Sequence, residues 1–308
     1  MAKRFAIAAL ATCSLAACNQ TMPINIGGGG GGSGGVLNSL SNLTKSSPAT
    51  LGGGNAQAGQ PNLIQMLSQS FETIDEKQEI EIGRQLAAML LGSKPLLNDP
   101  PLQRYVNQLG RWISLQSGRP NLPWTFGVLD DRGYNAFATP GGYIFVTKGL
   151  IDRVRDESEL GGILAHEITH VVSKHHLKAI SASARTGVLT SVVASQLKGD
   201  LGGQVAQQML VLGRNLYSRG LDQGDEFEAD RRGVALAARA GLDPFGLVSS
   251  LQQLRGASSS DASFALTLST HPPAQARMDK VEAAMGRRFD KMTGGRTVTI
   301  SQRVGRNR

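Results

Sequence analysis

The segment His166-Glu167-Ile168-Thr169-His170 sets two imidazoles four residues apart. Four residues turn an α-helix by about 400°, so both rings share a face one turn apart and can hold one cation, about 2.0–2.1 Å from each ring nitrogen. Glu167, about 100° round from His166, reaches a water held at that ion more easily than the ion itself, which puts a general base beside an activated nucleophile. A catalytic zinc site takes three protein ligands and keeps a position open, so a third ligand must come from a separate element. Asp225-Glu226-Phe227-Glu228-Ala229-Asp230 offers it. Glu226 and Asp230 share a helix face, so one can bind the metal while the other accepts a hydrogen bond from the free ring nitrogen of a ligating His. Glu228 points about 200° away and is expected as a surface acid. His175 and His176 follow the helix end, where a cation suits the helix dipole.

These groups need rigid elements under them. Asp156 to His176 carries Leu160, Ile163, Leu164, Ile168, Val171 and Val172 at helical spacing, with acids in its first turn, and predicts one helix. A second helix is predicted from Pro101 to Leu115, and others from Pro61 and over Ile82 to Leu91. Trp124 to Leu129 alternates like a strand. Asn135 to Val146 reads as two β-prone runs about the turn Pro140-Gly141-Gly142, the Pro suiting an edge strand. Beyond Lys148 the chain reads as helical to about residue 286, with breaks near Gly220–Gly224, Gly241–Pro244 and Ala257–Asp261. The expected class is α+β: a mostly helical domain with a small antiparallel sheet whose edge strand borders the active site.

Four motifs, in order, resemble the zinc endopeptidases typified by the CAAX prenyl protease and the heat-shock protease HtpX, with their soluble bacterial lipoprotein relatives. They are Asn135-Ala136-Phe137-Ala138 with Pro140-Gly141-Gly142-Tyr143, the His166–His170 segment, Glu226-Phe227-Glu228-Ala229-Asp230, and Ser269-Thr270-His271-Pro272-Pro273 with Arg277. The resemblance covers roughly residues 70 to 285. It implies one Zn2+ held by His166, His170 and Glu226, with Asp230 behind a ligating ring and Glu167 as general base. It also implies that the strand of Asn135 and Ala136 lies beside the site, where it can pair with an extended substrate main chain. His271 is expected near the metal, either donating to the oxyanion of the tetrahedral intermediate or closing the open position in a resting state. Arg277 is expected to orient a carboxylate or a substrate carbonyl. The chain departs from several relatives in lacking their transmembrane helices.

The ends of the chain read differently. Lys and Arg outnumber Asp and Glu by 32 to 24. Lys3 and Arg4 stand at the start, and seven basic residues from Arg287 to Arg308 face one acid, Asp290, so the body between has 23 of each sign. A neutral body with 5% aromatics argues against a nucleic-acid partner. Both cysteines, Cys13 and Cys18, fall in the first twenty residues, so no disulfide holds the body. Residues 1–17 have the layout of a secretory signal, and Leu15-Ala16-Ala17-Cys18 resembles a lipobox, which implies acylation of Cys18. Several acyl chains anchor stably, so the expected place is the periplasmic side of the envelope, with Asn19 leaning toward the outer membrane. Residues 18–60 form a Gly-rich tether, 61–286 the metalloprotease domain and 287–308 a basic, disordered tail. The expected substrates are unfolded or misassembled envelope proteins. The rival readings are a non-catalytic periplasmic chaperone or assembly lipoprotein, and a peptidase acting on cell-wall peptides.

Overall fold

The computed structural model describes residues 74–185, 220–258, 260–292 and 298–305. The signal, lipidation and tether expectations and the helix expected from Pro61 therefore lie outside the described residues, as do residues 186–219. Among the described residues no helix is long and apolar enough to cross a membrane.

Helix α1 (Glu76–Ser93) starts on a capping box, in which Asp75 and Gln78 satisfy each other's backbone N–H. Helix α2 (Pro100–Ser114) begins with two prolines, and Asp99 accepts from Leu102 N. The sheet follows: β1 (Thr125–Leu129), β2 (Ala136–Thr139) and β3 (Tyr143–Thr147), in the order β1-β3-β2. Strands β2 and β3 are antiparallel as expected, but β1 runs parallel to β3, so the sheet is mixed. The chain leaves β1 for the far edge and returns through the Pro140–Gly142 turn, which inserts β3 between the two. Gly141 in that turn has φ 75° and Gly142 φ 102°, conformations open to glycine.

The two sheet edges are treated differently. On β1, Gln103 of α2 donates to Val128 O and accepts from Val128 N, both at 2.8 Å, while Asn107 accepts from Phe126 N at 3.1 Å. These side chains stand where another strand would pair. Strand β2 forms the opposite edge and faces the long central helix.

That helix, α4 (Glu157–Val172), comes after the one-turn α3 (Lys148–Ile151), is capped by Asp156, which accepts from Ser158 N and Glu159 N, and is buried from Glu159 to Val171. It stops earlier than its periodicity predicts. Lys174 takes φ 57°, the left-handed region, and a new helix, α5 (His175–Arg185), departs from there. Helix α6 (Gln223–Arg239), capped by Asp222, lies along α4. A Cβ on Gly233 would sit 3.0 Å from His166 N, so this glycine lets the two backbones approach. Helices α7 (Gly246–Gly256), α8 (Ala265–Thr270) and α9 (Ala274–Met285) complete the wall. One core cluster runs from Val106 and Ile113 of α2 through Leu160, Leu164 and Ile168 to Val234, Leu251 and Val281. Near the basic end of the chain a short helix, α10 (Ile300–Val304), has Ile300 buried, and Val298 O accepts from Glu157 N. Charge counting passes over the apolar Ile300 that docks it.

Gly83 of α1 lies under the turn that returns the chain to β3. A Cβ there would be 1.6 Å from Pro140 O. Gly83→Ala is therefore expected to destabilise the domain by about 1–3 kcal/mol through overpacking, read as a lower denaturation midpoint with an unchanged slope.

Candidate active site

His166 and His170, on successive turns of α4, meet edge to face with ring centroids 4.6 Å apart and their Nε2 atoms 3.0 Å apart. Glu226, in the first turn of α6, is 1% exposed. Its Oε1 lies 3.5 Å from His170 Nε2 and its Oε2 3.8 Å from His166 Nε2. His271, at the C-terminal end of α8, brings Nε2 within 3.7 Å of Glu226 Oε2. Ligand atoms of His166, Glu226 and His271 all lie within 4.8 Å of one another. The gap between α4 and α6, held narrow at Gly233, thus collects three imidazoles and one carboxylate.

These donors fit a divalent cation. Two neutral Nε2 lone pairs at 3.0 Å repel unless a proton or a cation lies between them, and Glu226 Oε2 is buried with no hydrogen-bond partner. A mixed nitrogen and oxygen donor set of this kind is what zinc takes.

Behind the rings stands Asp230. His166 Nδ1 lies 2.9 Å from Asp230 Oδ1, and Asp230, fully buried, accepts from Arg277 Nε at 2.8 Å and Nη2 at 2.6 Å. Burial opposes the charge on Asp230, but the Arg277 guanidinium overcomes it and holds the carboxyl well below the usual aspartate range. Burial likewise opposes a charged His166, yet the hydrogen bond to Asp230 raises its pKa above the ordinary imidazole value. His170, buried among imidazoles without such a carboxylate, falls well below it. Arg277, expected to orient a carboxylate or a substrate carbonyl, is 4% exposed; its Nε and Nη2 donate to Asp230 and its Nη1 lies 3.9 Å from Glu226 Oε2. A guanidinium beside a buried carboxylate pairs with it bidentately.

Glu167 is 6% exposed, and burial pushes its carboxyl up to about 7. It lines a cleft together with Asn135, Ala136, Phe137 and Ala138 of the β2 edge, and with His170, Glu226 and His271. Asn135 is folded back onto the strand: its Oδ1 accepts from Ala136 N at 2.9 Å. An apolar recess lined by Leu150, Ile163, Leu247, Leu251 and Leu254 adjoins Glu167 and His271 and suits an apolar side chain. His271 Nδ1 lies 3.2 Å from Thr267 O, which only accepts, so the hydrogen belongs on Nδ1. Burial holds this ring's pKa low, so the neutral ring turns a lone pair at Nε2 toward Glu226 and the other imidazoles.

Sequence reasoning passed over two features. Gly220, at φ 72°, packs so closely that a Cβ would sit 1.9 Å from Thr270 O, next to His271; the close approach has no local signature. His175 and His176 are not cations at a helix end: both are buried, and burial holds both below the ordinary imidazole value, His176 to about 3. The signal for them lay in the helix ending at Val172, which apolar periodicity did not reveal.

Comparison with known proteins places these residues in context. The family model "Peptidase family M48" matches residues 100–285. The putative beta-barrel assembly-enhancing protease of Vibrio cholerae is 34% identical over 56% of this chain and 36% of its own length. The beta-barrel assembly-enhancing protease of Escherichia coli is 29% identical over 70% and 45%, and the mitochondrial metalloendopeptidase OMA1 of Schizosaccharomyces pombe 31% over 62% and 55%. The chain thus spans about a third to a half of the length of these relatives.

Proposed function

Because the chain belongs to peptidase family M48, a family of metallopeptidases, we propose that it is a zinc-dependent endopeptidase that hydrolyses misfolded or misassembled proteins of the bacterial cell envelope. In this reading His166, His170 and Glu226 hold one Zn2+ per chain. The observation that carries it is the buried Oε2 of Glu226, which has no hydrogen-bond partner, beside two Nε2 atoms that face each other at 3.0 Å. Zinc supplies Lewis-acid polarisation of the scissile carbonyl and acidifies water at the site.

The protein's own groups do the rest. Glu167 takes a proton from the attacking water onto its carboxylate and passes it to the leaving amine nitrogen; a carboxyl near 7 exchanges protons readily at neutral pH. Asp230 holds the hydrogen on Nδ1 of His166 and so keeps Nε2 free for the cation. The outer edge of β2 receives an extended peptide, with Asn135 and Ala136 at its start. Of the two expected roles for His271, the lone pair at Nε2 favours closing the open position in a resting state over donating to an oxyanion. Arg277 acts on Asp230 and not on the substrate.

The substrate class follows the relatives named for β-barrel assembly. Acylation of Cys18 places the domain on the periplasmic side, at the outer membrane. The test is elemental analysis of the purified protein together with proteolysis of an unfolded outer-membrane β-barrel protein. One zinc per chain is expected, and a chelator should stop cleavage until zinc is restored. Full cleavage by metal-free protein would refute the reading; degradation of cell-wall peptides alone would move it to the rival substrate.

A further inference from the structure

We propose that His175 is a positioning residue for the metal: its imidazole fixes the ring of His170 from behind. This rests on the zinc reading above. The two rings at the front of the site are supported differently. His166 Nδ1 has the Asp230 carboxylate, whereas His170 Nδ1 meets His175 Nδ1 at 3.0 Å, with ring centroids 5.0 Å apart.

A ligating His that binds through Nε2 must carry its hydrogen on Nδ1, and that hydrogen needs an acceptor. His175 Nδ1 serves only if its own hydrogen lies on Nε2. The charges around it favour that tautomer. Asp225 Oδ1 and Glu228 Oε2 stand 3.8 and 3.9 Å from His175 Nε2, too far for a hydrogen bond but near enough for their negative potential to act there. Lys178 shares Asp225, and Arg232 and Ser173 hold Glu228. Glu228, expected as an idle surface acid, thus belongs to this second chain of contacts.

The backbone is shaped for the contact. Five residues along an unbroken helix would carry a side chain about 140° round from His170. Instead α4 ends, Lys174 enters the left-handed region at φ 57°, and α5 opens with His175 turned back on His170. A non-glycine residue in that region costs roughly 1 kcal/mol and persists where surroundings enforce it. Here the Lys174 ammonium reaches the buried carboxylate of Glu79 at 3.4 Å.

The test compares two variants of equal shape in the full protein. Asn presents an acceptor oxygen where His carries Nδ1; Leu presents none. Zinc affinity is measured by chelator competition, and the geometry by the visible spectrum of the cobalt-substituted protein. His175→Leu is expected to bind zinc about 10–100-fold more weakly, with an altered cobalt spectrum. His175→Asn should stay within about threefold of the parent, since it keeps the acceptor. Nitrogen chemical shifts of the zinc-loaded parent should show the His175 hydrogen on Nε2. Equal affinity in parent and Leu variant, equal loss in both variants, or a hydrogen on Nδ1 would each overturn the proposal. Failure of the parent to bind zinc would instead remove the reading on which it rests.

Discussion

Glu167→Gln is expected to lower turnover of an unfolded envelope protein by about 10²–10⁴-fold while leaving one zinc per chain. The amide keeps the size of the carboxyl in a position that is 6% exposed, so packing is preserved. It cannot accept a proton, and in the proposed mechanism no other cleft residue is assigned that step. Because Glu167 is not among the groups converging on Glu226 Oε2, metal content and thermal stability should hardly change. Steady-state proteolysis with parallel metal analysis checks both halves; undiminished cleavage by this variant would remove Glu167 from the chemistry.

Arg277→Leu is expected to cost about 3–5 kcal/mol of stability, because it strands the Asp230 carboxylate, fully buried, without its guanidinium. Zinc affinity should fall as well, by about 10–100-fold, since Asp230 orients His166. Arg277→Lys should recover only part, as an ammonium cannot reproduce the bidentate pair. The pH dependence has a definite sign. Asp230 titrates below its ordinary value in the parent, so its contribution is fully present above about pH 3.9 and is lost as pH falls through the folded value. The stability gap between parent and Arg277→Leu should therefore be widest near neutrality and shrink in acid. Denaturant titrations at several pH values read it directly.

Much of the site's front was legible because helical spacing is geometry. His166 and His170 at i and i+4, and Glu226 and Asp230 likewise, had to present common faces, and the packing of α4 on α6 brings the two faces together. The edge position of β2 was legible from Pro140-Gly141-Gly142. The parallel pairing of β1 was not, because strand order depends on which gap β3 fills and no local residue encodes that. Arg277 and His175 were legible only as residue types: their partners lie 47 and 5 positions away, the first reached by tertiary packing and the second by a single backbone angle at Lys174. The docked turn at Ile300 was hidden by the seven surrounding basic residues.

Gly233 carries a consequence for how tightly the site can grip. With no side chain there, the α6 backbone at Gly233 approaches the α4 backbone at His166 closely, and Glu226, two turns earlier on α6, meets the imidazoles at 3.5 and 3.8 Å. A single methyl there would act as a shim, forcing the two helices apart beside His166 while every candidate ligand kept its residue type. The spacing of the candidate ligands therefore rests in part on a residue that is not one of them.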